Sequence, residues 1–157
     1  MGGSARFTIM STEEAAAALD YFNAFHDGFI KRLTLTSHDA IAPDLSQVCT
    51  GLFDAEMDLA HYNYGTATSP FRPADQIVRA TFRGVRDIVL DLRTGFIGNT
   101  IIRLAVTPSQ RELFTPYGTE ACLVLRLARN FYLQASDRWE LRESDVFSFA
   151  SATFEEI

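Results

Sequence analysis

The sequence predicts an α+β domain that is mainly β. One N-terminal helix packs on a curved antiparallel sheet, a sandwich or an open barrel of about six to eight strands. Three observations predict it. A single stretch near the start carries both a helix-capping signal and an apolar stripe at helical spacing. Beyond it, apolar residues recur at every second position almost to the end of the chain. These period-2 segments succeed one another across turn-rich stretches with no second clear helix between them, which favours antiparallel pairing.

The helix begins at Ser11-Thr12-Glu13-Glu14, a capping box with Ser11 at the N-cap and Glu14 at N3. Alanine, the best helix former, dominates the next turn. Ala15, Ala18, Leu19, Phe22 and Phe25 share one face. The expected end is near His26-Asp27-Gly28, with Gly28 taking the positive φ of a C-terminal stop. The opening Met1-Gly2-Gly3-Ser4 is given no structural weight, and residues 1–10 as a whole are allowed to be disordered or extraneous.

The first strand is FIKRLTLTS. Phe29, Leu33 and Leu35 alternate with Ile30, Arg32, Thr34 and Thr36, and Lys31 is the one polar residue on the apolar side. A loop around Ser37 to Gln47 comes next, marked by Pro43-Asp44. In the second strand Phe53, Ala55, Met57, Leu59 and His61 form one face, and Asp54, Glu56, Asp58, Ala60 and Tyr62 the other. A loop, Gly65 to Asp75, leads to a strand with Val78, Ala80 and Phe82 against Arg79, Thr81 and Arg83. VRDIVLDLR fits a strand or a short helix equally. TIIRLAV and ACLVLRLAR are strands with apolar sets Ile102, Leu104, Val106 and Leu123, Leu125, Leu127. The tail supplies up to three further β segments. No linker or repeat divides the 157 residues, so one domain is expected over 1–157.

Composition excludes several classes. Hydrophobic residues make up 47% and charged residues 22%, which is incompatible with wholesale disorder. No apolar run reaches the roughly 20 residues of a membrane span. Fourteen basic against twenty acidic residues give a net charge of −6, which argues against general nucleic-acid binding. Without a secretory leader the chain is expected in the cytoplasm, with Cys49 and Cys122 reduced. Only Lys31 among the basic residues is lysine, a bias attributed to genome composition.

Few constellations carry chemistry. His26-Asp27 and His38-Asp39 share two letters with the HD phosphohydrolases, but both fall at turns beside strands and not within a helical bundle. Asp27 can bind backbone N–H groups in a turn, and His26 suits a helix C-terminus. His26, His38 and His61 lack the spacing that brings two ligands to one metal, so no cofactor and no metal is expected. No nucleophile elbow, P-loop or dinucleotide fingerprint occurs. Tyr62, Tyr64, Phe71 and Trp139 suit an aromatic core cluster better than a pocket. Asp54, Glu56 and Asp58 stand about 7 Å apart on one strand face. They are expected to pair with Arg79 and Arg83 of a neighbouring strand, or to form a charged face that docks a partner.

Two segments, AFHDGFIKRLTL and VRATFRGVRDIVLDL, resemble small bacterial immunity-type domains of polymorphic toxin systems and related uncharacterised families. The matching positions are Phe25, His26 and Asp27 early, then Phe82, Gly84, Val85 and Asp87 mid-chain. The DAEMDLAHYNYG segment departs from that pattern. The resemblance implies a non-catalytic protein that binds and neutralises a toxin, with Phe25-His26-Asp27 fixing the helix-to-strand turn. An acidic chain suits a basic toxin. The competing expectation is a small-ligand binder or metal-dependent enzyme using His26, Asp27, His61, Tyr62 and Tyr64. Homo-oligomerisation through sheet edges stays open.

Overall fold

A computed structural model describes residues 5–61, 76–89, 97–113, 118–133 and 135–157. It is mainly β, with one α-helix packed against antiparallel sheets. The described elements are strands β1 (Arg6–Ile9), β2 (Phe29–Ser37), β3 (Ala40–Ile41), β4 (Gln47–Val48), β5 (Phe53–His61), β6 (Gln76–Val85), β7 (Ile97–Glu112), β8 (Thr119–Leu133), β9 (Arg138–Phe149) and β10 (Ser151–Glu156), and helix α1 (Thr12–Tyr21). Five strands form one sheet in the order β1-β10-β6-β5-β2. The long strands β7-β8-β9 form a second, and β3-β4 is a small hairpin that starts in the expected Ser37–Gln47 loop and ends one residue past it.

The two large sheets are stitched at two corners. β9 and β10 are nearly one strand, turning at Ala150, whose N–H donates to the Arg83 carbonyl at 2.9 Å. Past β6 the chain continues alongside β9, with Arg86 and Ser148 exchanging both backbone hydrogen bonds. Val85 and Arg86, at the start of VRDIVLDLR, are therefore extended and Asp87 turns the chain at φ 55°; residues 90–93 lie outside the described residues. At the second corner, Asp27 N–H donates to the Ile101 carbonyl and Ile101 N–H to the Gly28 carbonyl, both at 2.8 Å. The sheets therefore curve around one core, in which Phe22, Phe25, Phe82, Phe147, Phe149 and Phe154 are the largest buried side chains. Edge-to-face contacts predominate, with Phe82 4.8 Å from Phe147 and 5.0 Å from Phe149.

The Ser11 N-cap forms as predicted: Glu14 N–H donates to Ser11 Oγ at 3.2 Å, and the Ser11 hydroxyl donates to Glu14 Oε1 at 3.1 Å. The helix ends earlier than expected, at Tyr21. Asn23, Ala24 and Phe25 then take φ of 52°, 51° and 57°, and Asp27 takes 64°. Gly28 is not the left-handed stop. A left-handed turn of three non-glycine residues is disfavoured by Cβ–carbonyl crowding. It persists because it swings Phe25 into the core, stacked on Phe22 at 5.2 Å.

Two strand phases differ from the simple alternation. A β-bulge between Ile30 and Arg32 leaves Lys31 as the extra residue in its pairing with β5. Ile30, Leu33 and Leu35 then face the core, while Phe29 is exposed. The bulge explains why a lysine interrupts the apolar positions. An irregularity between Ile101 and Arg103 likewise buries Ile101 with Leu104, where Ile102 was expected. The start of the chain also needs correcting: residues 6–9 are no tail. They form β1 against β10, with Ile9 fully buried.

Candidate functional site

The acidic file on β5 lies on the outer face of the five-stranded sheet, as its alternation requires. Cross-strand register carries one residue of each strand into a single row: Arg6, Glu155, Arg79, Asp58 and Arg32. The charges alternate in sign across all five strands. Opposite charges directly across antiparallel strands attract, so each neighbour supports the pairing register. The next row outward is Thr8, Thr153, Thr81, Glu56 and Thr34.

Asp58 is the centre of the charged row and only 8% exposed. Arg79 Nε donates to its Oδ1 at 2.9 Å and Arg79 Nη2 to Oδ2 at 3.2 Å. Arg32 Nε donates to Oδ2 at 3.0 Å. The Arg79 hydrogen bonds, then those from Arg32, hold the Asp58 carboxyl below the usual aspartate range, against the opposing effect of burial. Both arginines are held above their ordinary range by the same bonds. Arg32 also bonds Glu56, and Arg79 Nε lies 3.5 Å from the same carboxylate. Asp54 meets His38 Nε2 at 3.1 Å. Arg83 is exposed and, among the described residues, no ion pair joins it to the row. It sits at the irregularity where Gly84 takes φ of 65°. Arg32 is thus the partner that sequence reasoning passed over, although its place on the polar face of β2 was legible.

Phe25, His26 and Asp27 form the second corner. Phe25 is buried. His26 Nδ1 lies 3.0 Å from the Ile102 carbonyl, and Asp27 donates its backbone N–H to Ile101. His26 Nε2 and Asp27 Oδ2 are 3.8 Å apart and both side chains are about half exposed. Phe29, two residues past Asp27, pairs with Ala60, and β5 ends one residue later at His61. Tyr62, Tyr64 and Phe71 lie outside the described residues. Trp139 departs from the expected core cluster: it is 55% exposed, packed against Tyr132 at 5.3 Å. Among the described residues no group of three or more histidine, cysteine or acidic side chains is placed to hold a metal ion.

The mid-chain motif builds the first corner. Phe82 lies in the core, and Gly84 approaches Ala150 so closely that an added Cβ would stand 3.1 Å from the alanine Cβ. The Gly84 carbonyl accepts from Arg111 Nη1 at 2.5 Å. Arg111 is buried, and its Nε meets Glu120 Oε1 at 2.6 Å. Asp87, at φ 55°, accepts from Ser148 Oγ at 3.2 Å. Spacing alone did not reveal Arg111 and Glu120, because a hairpin register brings them together from two strands. Both cysteines are free; Cys49 is exposed, and burial pushes the Cys122 thiol up.

Comparison with protein families, with curated proteins and with solved structures finds no match to this chain.

Proposed function

We propose that the protein is a non-catalytic binding protein of immunity type, which neutralises a bacterial toxin by covering a basic surface. The observation that supports this best is the file Asp54, Glu56 and Asp58 on the outer face of the five-stranded sheet, in a chain of net charge −6. Asp58 is committed to Arg79 and Arg32 and organises the face. Glu56 pairs with Arg32 and Asp54 with His38, so acidic and basic groups alternate across this face. Such a charge pattern fixes a partner's orientation, and the acidic balance of the whole chain favours a basic one. Phe25-His26-Asp27 and Phe82-Gly84-Val85-Asp87 serve as the two corners that hold the sheets.

The test is co-expression with the toxin-like product of an adjacent gene. A stable one-to-one complex by size-exclusion chromatography, together with restored growth of the host, is expected. Absence of both a complex and protection refutes the reading.

A second reading, a small-ligand or metal-dependent site around His26, Asp27, His61, Tyr62 and Tyr64, draws on the approach of the β5 end to the Phe25-His26-Asp27 corner. A thermal-shift screen with divalent cations and small metabolites tests it. A ligand that stabilises the native chain but not H26A/D27A supports it, and equal shifts in both proteins dismiss it.

A further inference from the structure

The β3-β4 hairpin turns apolar side chains outward. Ile41 is 75% exposed, Leu45 84%, and Val48 is exposed as well. The hairpin is nonetheless held by local bonds. Asp39 Oδ1 accepts from the N–H groups of Thr50 at 2.7 Å and Gly51 at 3.2 Å. Ala42 N–H donates to the Ser46 carbonyl, and Leu45 N–H to the Ala42 carbonyl, each at 2.8 Å. Asp44 Oδ1 accepts from Ser46 N–H at 3.0 Å. At the base, His38 N–H donates to the Leu52 carbonyl and its ring meets Asp54.

Leu45 has φ of 68°. That backbone region favours glycine or asparagine and disfavours leucine. Water likewise disfavours a leucine side chain this exposed. Two independent preferences thus call for a small polar residue at the tip, and the chain carries a large apolar one. A residue that violates its local rules without a gain inside the fold marks a functional position. Ile41 and Leu45 line a shallow concavity of about 540 Å³ with Asp39, Ala40 and Gln47.

We propose that this hairpin tip is the apolar anchor of the toxin-binding surface, seated in an apolar cleft of a protein partner whose rim is basic. The inference rests on the partner-binding reading and adds where the contact is centred. Charge selects the occupant. Asp39 and Asp44 flank the anchor, and Asp54 and Glu56 lie on the adjoining strand. An anionic lipid surface would be repelled by these groups. A second copy would bring two acidic hairpins together in a chain of net charge −6. A basic protein gains on both counts, and a preformed hairpin loses little conformational freedom on docking.

The experiment uses the full chain, labelled with nitrogen-15, and a defined probe: a synthetic amphipathic helix of leucine and lysine. Its glutamate counterpart, with the same apolar face, and phosphatidylglycerol vesicles serve as comparisons. The lysine peptide should perturb the amides of residues 39–50. Leu45→Gly should weaken its binding at least tenfold while Tm stays equal or rises; Ile41→Ser should weaken it similarly. Undiminished binding to both variants, perturbations mapping elsewhere, no binding of the lysine peptide, or equal binding of the glutamate peptide overturns the proposal. So does preferential binding to the vesicles, or sedimentation showing self-association that Leu45→Gly abolishes. A toxin complex that forms equally well with Leu45→Gly refutes the anchor alone; failure of any toxin complex refutes the underlying function.

Discussion

Replacing Asp58 with alanine tests whether the alternating row is structural. Asp58 accepts three guanidinium hydrogen bonds of 2.9–3.2 Å and is only 8% exposed. Hydrogen bonds to charged groups contribute roughly 1.5–3 kcal/mol each. The total must be discounted, because Arg32 and Arg79 reach water and retain Glu56 after the substitution. The net loss is therefore about 2 kcal/mol, or a fall in Tm of roughly 4–8 °C for a chain of this size. Asp54→Ala, on the same face and the same strand, where the exposed His38 is its one ion-pair partner among the described residues, should cost under about 0.5 kcal/mol. Urea denaturation monitored by circular dichroism measures both. Raising the salt concentration should weaken the effect of Asp58→Ala only in part, since a sheltered pair is screened less than an exposed one. Equal costs for the two variants, or a loss at Asp58 below about 0.5 kcal/mol, would refute the assignment of Asp58 as the organising residue.

Acid should reveal the same group. The folded state holds the Asp58 carboxyl below its unfolded value near 3.9, so it binds fewer protons than the unfolded chain through that window. Its contribution is complete above the unfolded value and is lost as pH falls through the lower folded value. A urea series from pH 6 to pH 2 should show a steeper acid loss for the native sequence than for Asp58→Asn. Phe25→Ala should cost about 3–5 kcal/mol, because it opens a cavity beside Phe22 and Phe154 and leaves the left-handed turn without its packing. Calorimetry measures it, and a loss under about 1 kcal/mol would show that the turn stands without the phenylalanine. With a colourimetric disulfide reagent at pH 8, native protein should yield one fast thiol, Cys49, and release Cys122 only on unfolding. Two fast thiols would contradict the burial of Cys122.

Period-2 alternation on β5 and β8, the N-cap at Ser11 and the apolar face of α1 were legible in the sequence. They rest on interactions within a few residues and on a strict geometric repeat. The pairing of Asp58 with Arg79 was legible too, because both strands present polar residues to one face and charge complementarity selects the partner. Other features depended on residues far away in the chain. Lys31 and Ile102 reset the phase of their strands only because β5 and β8 accept them as extra residues. Phe25 reaches the core through a backbone conformation that the local sequence opposes and that packing against Phe22 and Phe154 sustains. β1 carries too few residues to declare itself and becomes a strand because β10 supplies its partner. Arg111 and Glu120 form a sheltered pair through hairpin register. By itself, then, the sequence determined the class of the domain, its helix cap and the two faces of its strands. The tertiary structure decided register, bulges and corners, since these depend on which backbone groups and side chains meet across the sheets, information no local period carries.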